Sequence, residues 1–261
     1  MNDHTFAICA YKDSHYLEEC LDSLENQTLH SEIFIATSTP DDFIRDIADR
    51  HGIPVYVNEG EHGITQDWNF ALSKVKTPLA TIAHQDDVYL PEYTHKMKDY
   101  MHMARKPQIF FTDYAELRNG EVVSENKNLR IKRKLLKPLT AQKNWDRKGK
   151  KRKVLSIGNP ICCPSVTYCM ENIPQPLFQN HFQSNEDWEA WERLSKEDGS
   201  FVYFPEIMMY HRIHVESATT RVIGQHSRTA EDREMFGKFH SGLVADILTR
   251  MYSASEKSNQ I

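Results

Sequence analysis

The 261-residue sequence has no apolar run that approaches the ~20 residues of a membrane-spanning helix. Its N-terminus, Met-Asn-Asp-His-Thr, has no basic flank leading into an apolar stretch, so we expect no secretory signal. Cysteine is also scarce, and its odd number and lack of paired C-x-x-C spacing argue against a zinc site and favour a reducing, cytoplasmic compartment. The five cysteines are Cys9, Cys20, Cys162, Cys163 and Cys169.

Glycine is scarce where some nucleotide-binding enzymes need it most. The chain has 10 glycines, and the segment after the first predicted strand, Ala10-Tyr11-Lys12-Asp13, contains none. A nucleotidyltransferase would need a Gly-rich phosphate loop at this point, because only glycine lets the backbone approach the phosphates closely. The sequence therefore disfavours that class of enzyme.

Basic charge is concentrated in one segment. Residues 127–153 contain thirteen Lys or Arg and one acid, Asp146, although the whole chain has a formal net charge of −5. Such a block can bind phosphate, nucleic acid or an anionic membrane face, or it can be a solvated and partly disordered loop. No nucleic-acid recognition motif accompanies it, so we expect no nucleic-acid partner.

Apolar strands alternate with amphipathic helices through the first half of the chain, and the 39% apolar share is enough for a sizeable core. This alternation predicts an α/β fold with a doubly wound, mostly parallel sheet, which binds ligands beyond the carboxyl ends of its strands. Predicted strands cover residues 5–10, 33–36, 54–58, 79–83 and 108–114. Four helices are predicted between these strands. The first is capped by Asp13 or Ser14, the second runs from Pro40 to near Gly52, the third covers residues 65–74, and the fourth starts at Pro91.

The basic segment interrupts this rhythm and divides one continuous domain into three parts: residues 1–125, a basic connection at 126–156, and residues 157–261. Asn119-Gly120 predicts a hairpin turn. Further predictions are strand character at 158–170, a helix at 186–196 with Trp188 and Trp191 inward, and strands at 201–204 and 207–213. A single long helix at 227–252, with Leu243 and Ile247 on its apolar face, is also predicted. We expect this face to pack on the domain; the alternative is an amphipathic helix at a membrane surface.

Polar and acidic residues follow the buried strand at 79–83. His84, Gln85, Asp86 and Asp87 come directly after it. Carboxylates at the carboxyl end of a central strand lie where this fold binds its ligand, and a divalent cation would relieve their repulsion. The alternative interpretation is that Asp86 and Asp87 only cap the helix that follows.

Six segments, in order, resemble motifs of the inverting family 2 glycosyltransferases. They are residues 10–28 around YLEECLDSL, residues 63–72, the His84–Asp87 motif, residues 158–166, residues 185–195 around Glu186-Asp187, and residues 210–219, which include His211, His214 and Ser217-Ala218-Thr219. The resemblance implies a GT-A fold, with a nucleotide-sugar-binding half, an acceptor-side lobe and a C-terminal helix.

The resemblance also implies roles for individual residues. Asp187 is the expected general base, supported by Glu186; Asp86 is the expected principal ligand of Mn²⁺ or Mg²⁺, with His84 and His214 as secondary ligands. The nucleotide is expected across Ala10, Tyr11, Asp13, Ser38, Asn69 and Gln85. The expected donor is a nucleotide sugar, most simply a UDP-sugar, and the acceptor a carbohydrate or lipid-linked molecule, with peripheral contact at the anionic inner face of the membrane.

Three departures from the family pattern bear on these expectations. Thr37-Ser38 stands where many relatives have paired acids that hold the nucleobase, Trp68 replaces a frequent arginine, and His84 replaces the first acid of the metal motif. We therefore expect relaxed or altered base preference. The departures also leave open a catalytically degenerate nucleotide-sugar-binding module, and Asp187 can alternatively be a helix-capping acid. His211 is assigned no role.

Overall fold

The computed structural model describes residues 3–214 and 227–256, in which nine strands form one sheet. The strand order is β3-β2-β1-β4-β8-β6-β9-β5, with β7 paired to β6. The strands are β1 His4–Ala10, β2 Glu32–Thr37, β3 Val55–Val57, β4 Leu79–His84, β5 Val88–Tyr89, β6 Pro107–Arg118, β7 Glu121–Val123, β8 Val166–Cys169 and β9 Ser200–Ile213.

The described helices lie between and after these strands. They are α1 Leu17–Glu25, α2 Asp42–His51, α3 Ile64–Lys74, α4 Tyr93–His102, α5 Lys127–Leu136, α6 Lys148–Leu155, α7 Glu186–Lys196, α8 Ser227–Gly237 and α9 Gly242–Glu256. Short 3₁₀ turns occur at Lys137–Thr140, Gln142–Asn144 and Cys163–Ser165.

The N-terminal half is the parallel part of the sheet. Strand β1 pairs in parallel with β2 and β4, and β2 pairs in parallel with β3, as the alternating sequence predicts. Helix α2 is capped at its N-terminus by Asp41, whose carboxylate accepts the N–H of Ile44 at 2.8 Å, and at its C-terminus by Gly52, which has a φ of 65°. The prediction for α1 was wrong in detail: its N-cap is Tyr16 rather than Asp13 or Ser14, although the Ser14 hydroxyl accepts the Tyr16 N–H at 3.4 Å.

The C-terminal half adds mixed pairings. Strand β8 lies antiparallel between β4 and β6, whereas β6 and β9 run parallel over their whole length. The two strands predicted at 201–204 and 207–213 are one strand, β9. Its far end pairs with the short strand β5, which the sequence analysis did not predict. The β6–β7 hairpin turns at Asn119 and Gly120, both with positive φ, which confirms the predicted turn.

The basic segment is helical, so its interpretation as a solvated, partly disordered loop is wrong. Helices α5 and α6 bury apolar residues such as Leu129, Leu136 and Val154 in the core. Lys151 of α6 is fully buried, and its ammonium donates to backbone carbonyls at the C-terminal end of α7. This cation satisfies carbonyls that the helix leaves without an internal donor.

The predicted long C-terminal helix is two helices, α8 and α9. The chain turns at residues 238–241, where His240 Nε2–H donates to the Ser156 carbonyl at 2.7 Å. Leu243 and Ile247 are exposed, 81% and 57%, so their expected place in the core is wrong. No helix among the described residues is long and apolar enough to cross a membrane. The Ser217-Ala218-Thr219 motif lies outside the described residues.

Candidate active site

The acidic motif lies at the carboxyl edge of the sheet, where β4 ends at His84. Asp87 is fully buried and accepts two hydrogen bonds on Oδ1, from the backbone N–H of Arg212 and from Nδ1 of His211, each 2.9 Å long. Both donors come from the end of β9, more than 120 residues away in sequence. Strand β9 thus fixes the position of the Asp87 carboxylate at the carboxyl edge of the sheet.

Asp86 is held by the same strand. His214 Nε2 lies 2.7 Å from Asp86 Oδ2, and the Arg212 guanidinium donates to the Asp86 carbonyl at 2.8 Å. Burial opposes ionisation of Asp86, but the hydrogen bond from His214 and the nearby histidines outweigh it and lower the pKa of Asp86. Arg212 is itself fixed by Glu19 at 2.5 Å and by the Tyr16 ring, 4.1 Å from the guanidinium carbon.

This edge has the donor set of a divalent-cation site. His84, Asp86 and Asp87 each offer a ligand atom, and these atoms lie within 4.8 Å of one another. Two buried atoms there, His84 Nε2 and Asp87 Oδ2, have no hydrogen-bond partner. Burial also lowers the pKa of His84, which favours the neutral imidazole that binds metals. Orphaned ligand atoms around carboxylates fit a cation of the Mg²⁺ or Mn²⁺ type.

The turn after β1 is shaped by Gln85. The Tyr11 N–H donates to Gln85 Oε1 at 3.1 Å, and Gln85 Nε2 donates back to the Tyr11 carbonyl at 3.0 Å. Lys12 has a φ of 57°, and its N–H donates to Thr39 Oγ1 at 2.7 Å. This clamp leaves the Tyr11 ring 48% exposed at the edge of the site, with Ala10 buried behind it and Asp13 exposed beyond it.

Ser38 and Asn69 have protein partners in the same region. The Ser38 hydroxyl donates to Asp67 Oδ2 at 2.8 Å. Asn69 uses both ends of its amide on the backbone of Phe178, at 2.8 and 3.0 Å, and so joins α3 to the loop before α7. Trp68, in place of the family arginine, stacks on His84 with ring centroids 5.6 Å apart.

Asp187 lies in the first turn of α7, as predicted, and α7 has the predicted bounds. Its carboxylate accepts the Trp188 N–H at 2.6 Å and the Asn159 amide at 2.8 Å. Burial raises the pKa of Asp187, and these two hydrogen bonds together with the charge of Lys132 oppose the rise. Neighbouring Glu186 is almost fully buried, and burial raises its pKa to about 8.

The buried Cys162 thiol lies near both the acidic edge and Asp187. The Cys162 thiol lies within electrostatic reach of both Asp87 and Asp187, and of Lys132, whose ammonium donates to the Tyr114 hydroxyl at 2.8 Å. Burial raises the pKa of Cys162 and Cys163 far above the range of a nucleophile, which supports a structural role for this pair.

Comparison with known proteins agrees with this geometry. The family described as Glycosyl transferase family 2 matches residues 5–169. The chain belongs to this family. It is a sugar-transferring enzyme with the GT-A architecture that the sequence resemblance implies. No curated protein matches the chain.

Solved structures of other proteins show the same fold at low identity. TarS from S. aureus in complex with UDP-GlcNAc is 13% identical, with a TM-score of 0.63, over 95% of this chain and 70% of that chain. The mannosyltransferase PcManGT from Pyrobaculum calidifontis, in complex with GDP-Man and Mn²⁺, is 12% identical, with a TM-score of 0.64, over 95% and 69%. Glucosyl-3-phosphoglycerate synthase from Mycobacterium tuberculosis is 11% identical, with a TM-score of 0.59, over 91% and 80%.

Several residues of this candidate site were not found from the sequence. His211 was given no role, yet it contacts Asp87. Lys132 was counted only as one cation of the basic segment. Asn159 was assigned only to a motif that resembles the acceptor-side strand. These three act through contacts between distant segments, and the sequence carries no local signal for such contacts. For Lys132, the apolar neighbours of α5 are the one available hint that this stretch packs on the fold.

Proposed function

We propose that the enzyme transfers a sugar from a nucleoside diphosphate sugar, most simply a UDP-sugar, to an acceptor hydroxyl, with inversion at the anomeric carbon and with a bound divalent cation. The observation that carries this proposal is the Asp187 carboxylate, which is held by Asn159 and the Trp188 N–H and which, like Asp87, lies within electrostatic reach of Cys162. The chain retains both Asp86 and Asp187, which argues against the alternative of a catalytically degenerate nucleotide-sugar-binding module.

The cation would be held by Asp86 and His84, with Asp87 beside them, and His214 would orient Asp86 or join it as a ligand. When bound, Mn²⁺ or Mg²⁺ would stabilise the negative charge of the leaving diphosphate. The protein's own part is to keep these groups fixed: His211 and Arg212 from β9 hold Asp87 and Asp86 before any ligand arrives. The nucleotide would lie along Ala10, Tyr11, Asp13, Ser38, Asn69 and Gln85.

Asp187 would accept the proton of the acceptor hydroxyl while the hydroxyl oxygen attacks the anomeric carbon. The bond from that carbon to the diphosphate oxygen breaks in the same step, so the configuration inverts. A base must be ionised to do this. The hydrogen bonds from Asn159 and Trp188, and the charge of Lys132, favour that ionised form against the effect of burial. Glu186 would orient Asp187 or bind the acceptor.

The acceptor would be a carbohydrate or a lipid-linked molecule, in the synthesis of cell-surface polysaccharide or glycoconjugate. Lys132 supports a basic acceptor entrance, because it brings one charge of the basic segment within reach of Asp187. Exposed cations of the segment, such as Lys127, Arg130 and Lys134, would suit phosphate groups or the anionic inner face of the membrane. Five free thiols suit a cytoplasmic location.

The proposal is tested by a nucleotide-sugar screen with Mn²⁺ or Mg²⁺, comparing the parent enzyme with Asp187→Asn. Asparagine keeps the size of the side chain and can accept one of the two hydrogen bonds that Asp187 receives, but it cannot accept the proton, so transfer should fall about a hundredfold or more. Binding of metal and nucleotide should be unchanged, and NMR of the product should show the inverted anomer. Near-normal transfer by Asp187→Asn at saturating donor would refute the general-base role and leave Asp187 as a helix-capping acid.

A further inference from the structure

A second carboxylate site lies at the same sheet edge, one strand further out. In the register of the sheet, Ala10 is opposite Thr37, and Thr37 is opposite Val57. The next residues of the three strands, Tyr11, Ser38 and Asn58, therefore lie side by side at the carboxyl edge. The Asn58 N–H donates to the Thr37 carbonyl at 2.8 Å, which keeps this alignment beyond the end of β3.

Asp67 projects from the first turn of α3 onto this row. Its Oδ2 accepts the Ser38 hydroxyl at 2.8 Å, and its Oδ1 accepts the Asn58 amide at 2.8 Å. Asn58 also donates to the Glu61 carbonyl at 3.0 Å, and its own Oδ1 accepts the Gly60 N–H at 3.1 Å. The Asp67 side chain is thus positioned by two strands and a loop. It remains half-buried rather than sealed in the core.

This carboxylate occupies the region in which β2 lacks one. The expectation of relaxed base preference rested on Thr37-Ser38, which has no acid. Ser38 instead donates its proton to Asp67, so the hydroxyl orients an acid contributed by α3. An ionised carboxylate has about four acceptor positions, and two are used here. The other two remain for a ligand at the edge beside Tyr11.

We propose that Asp67 recognises the nucleobase of the donor, and that it selects bases with a ring N–H next to a carbonyl, as in uracil and guanine. The carboxylate would accept N3–H of uracil, or N1–H and the amino group of guanine, while the exposed Tyr11 ring covers the base. Cytosine and adenine have an unprotonated nitrogen at the equivalent ring position, and its lone pair would face the carboxylate. This inference rests on the proposed nucleotide-sugar donor, and it replaces the expectation of relaxed base preference.

The test compares matched nucleotides on the unaltered enzyme by calorimetry with Mn²⁺. UDP and N3-methyl-UDP differ at the proposed contact, as do UDP and CDP. We expect UDP to bind at least about tenfold more tightly than either, because a hydrogen bond to a charged group is lost. The second set compares GDP with N1-methyl-GDP and with ADP, which differ from GDP at the equivalent contact. If the unmodified and methylated forms of UDP and of GDP bind equally, the inference is wrong.

Asp67→Asn then assigns the effect to the residue. The variant should lose UDP affinity about tenfold and bring UDP and CDP to within a few-fold of each other, because an amide can donate to cytosine. Glu59→Gln is the matched control: it removes the same charge from an exposed position on the neighbouring loop and should keep the UDP preference. An unchanged UDP-to-CDP ratio in Asp67→Asn would overturn the assignment. Failure of the unaltered enzyme to bind any nucleotide would instead refute the proposed function itself.

Discussion

Lys151 offers a direct test of the finding that the basic segment is part of the folded core. Its side chain is fully buried, and the Phe201 ring centroid lies 5.0 Å from its Nζ. Burial lowers the pKa of Lys151 to about 8, so the amine is charged well below that pH. The ammonium donates to Gln108 Oε1 at 3.1 Å, Leu194 O at 3.3 Å, Glu197 O at 2.9 Å and Gly199 O at 2.7 Å.

Replacing Lys151 with Met keeps the apolar stem and removes the donors. Leu194 O keeps the N–H of Glu197 at 3.1 Å, so the loss falls on the other three acceptors. Each buried acceptor left without a donor costs about 1–3 kcal/mol. The variant no longer buries an ammonium, which offsets part of that cost. We expect the free energy of unfolding to fall by about 3 kcal/mol, a large effect for one substitution.

The measurement is urea unfolding well below the pKa of Lys151, followed by tryptophan fluorescence and circular dichroism. Lys153→Met is the control, since Lys153 is an exposed cation on the same helix and should change the free energy of unfolding by less than about 0.5 kcal/mol. Equal midpoints and slopes for the two variants would refute the reasoning. They would mean that Lys151 is solvated and that α6 does not close the end of α7.

Three further predictions concern the site and its surroundings. Asp86→Ala should abolish cation-dependent nucleotide binding with the fold intact, and unchanged calorimetric binding in Mn²⁺ would remove Asp86 as the principal ligand. Burial raises the pKa of Glu186 from 4.5 to about 8, so between these pH values the unfolded state of the parent loses the proton that the folded state keeps. The parent is therefore destabilised as the pH rises through this range. Glu186→Gln, which does not ionise, should become more stable than the parent, by about 3 kcal/mol at pH 7. Thermal unfolding across this pH range tests it, and a difference independent of pH would contradict it. Liposome flotation should depend on anionic lipid; binding that ignores lipid charge would exclude the membrane role of the basic segment.

Local sequence determined most elements of this enzyme, because their signals lie within a few neighbouring residues. Helix α7 has the predicted bounds since Trp188, Trp191 and Leu194 recur at helical spacing and become buried. The Asn119-Gly120 turn needs positive φ, which these two residues adopt readily. The prediction of one C-terminal helix failed because the helical spacing of apolar residues continues past the end of α8. Leu243 and Ile247 extend that spacing, but the chain turns at 238–241 and the two side chains are exposed.

The tertiary structure alone decided which groups of the site act together. The Asp87 carboxylate is fixed by His211 and Arg212 of β9, and the Asp86 carboxylate by His214 directly after that strand, since β9 pairs with both β5 and β6. The Asp67 carboxylate reaches the row beyond β2 and β3, and the Lys151 ammonium reaches the end of α7. Each of these contacts joins residues whose order in the chain says nothing about their distance. Sequence therefore determined the family and most of the elements, while packing decided the partners of each charge.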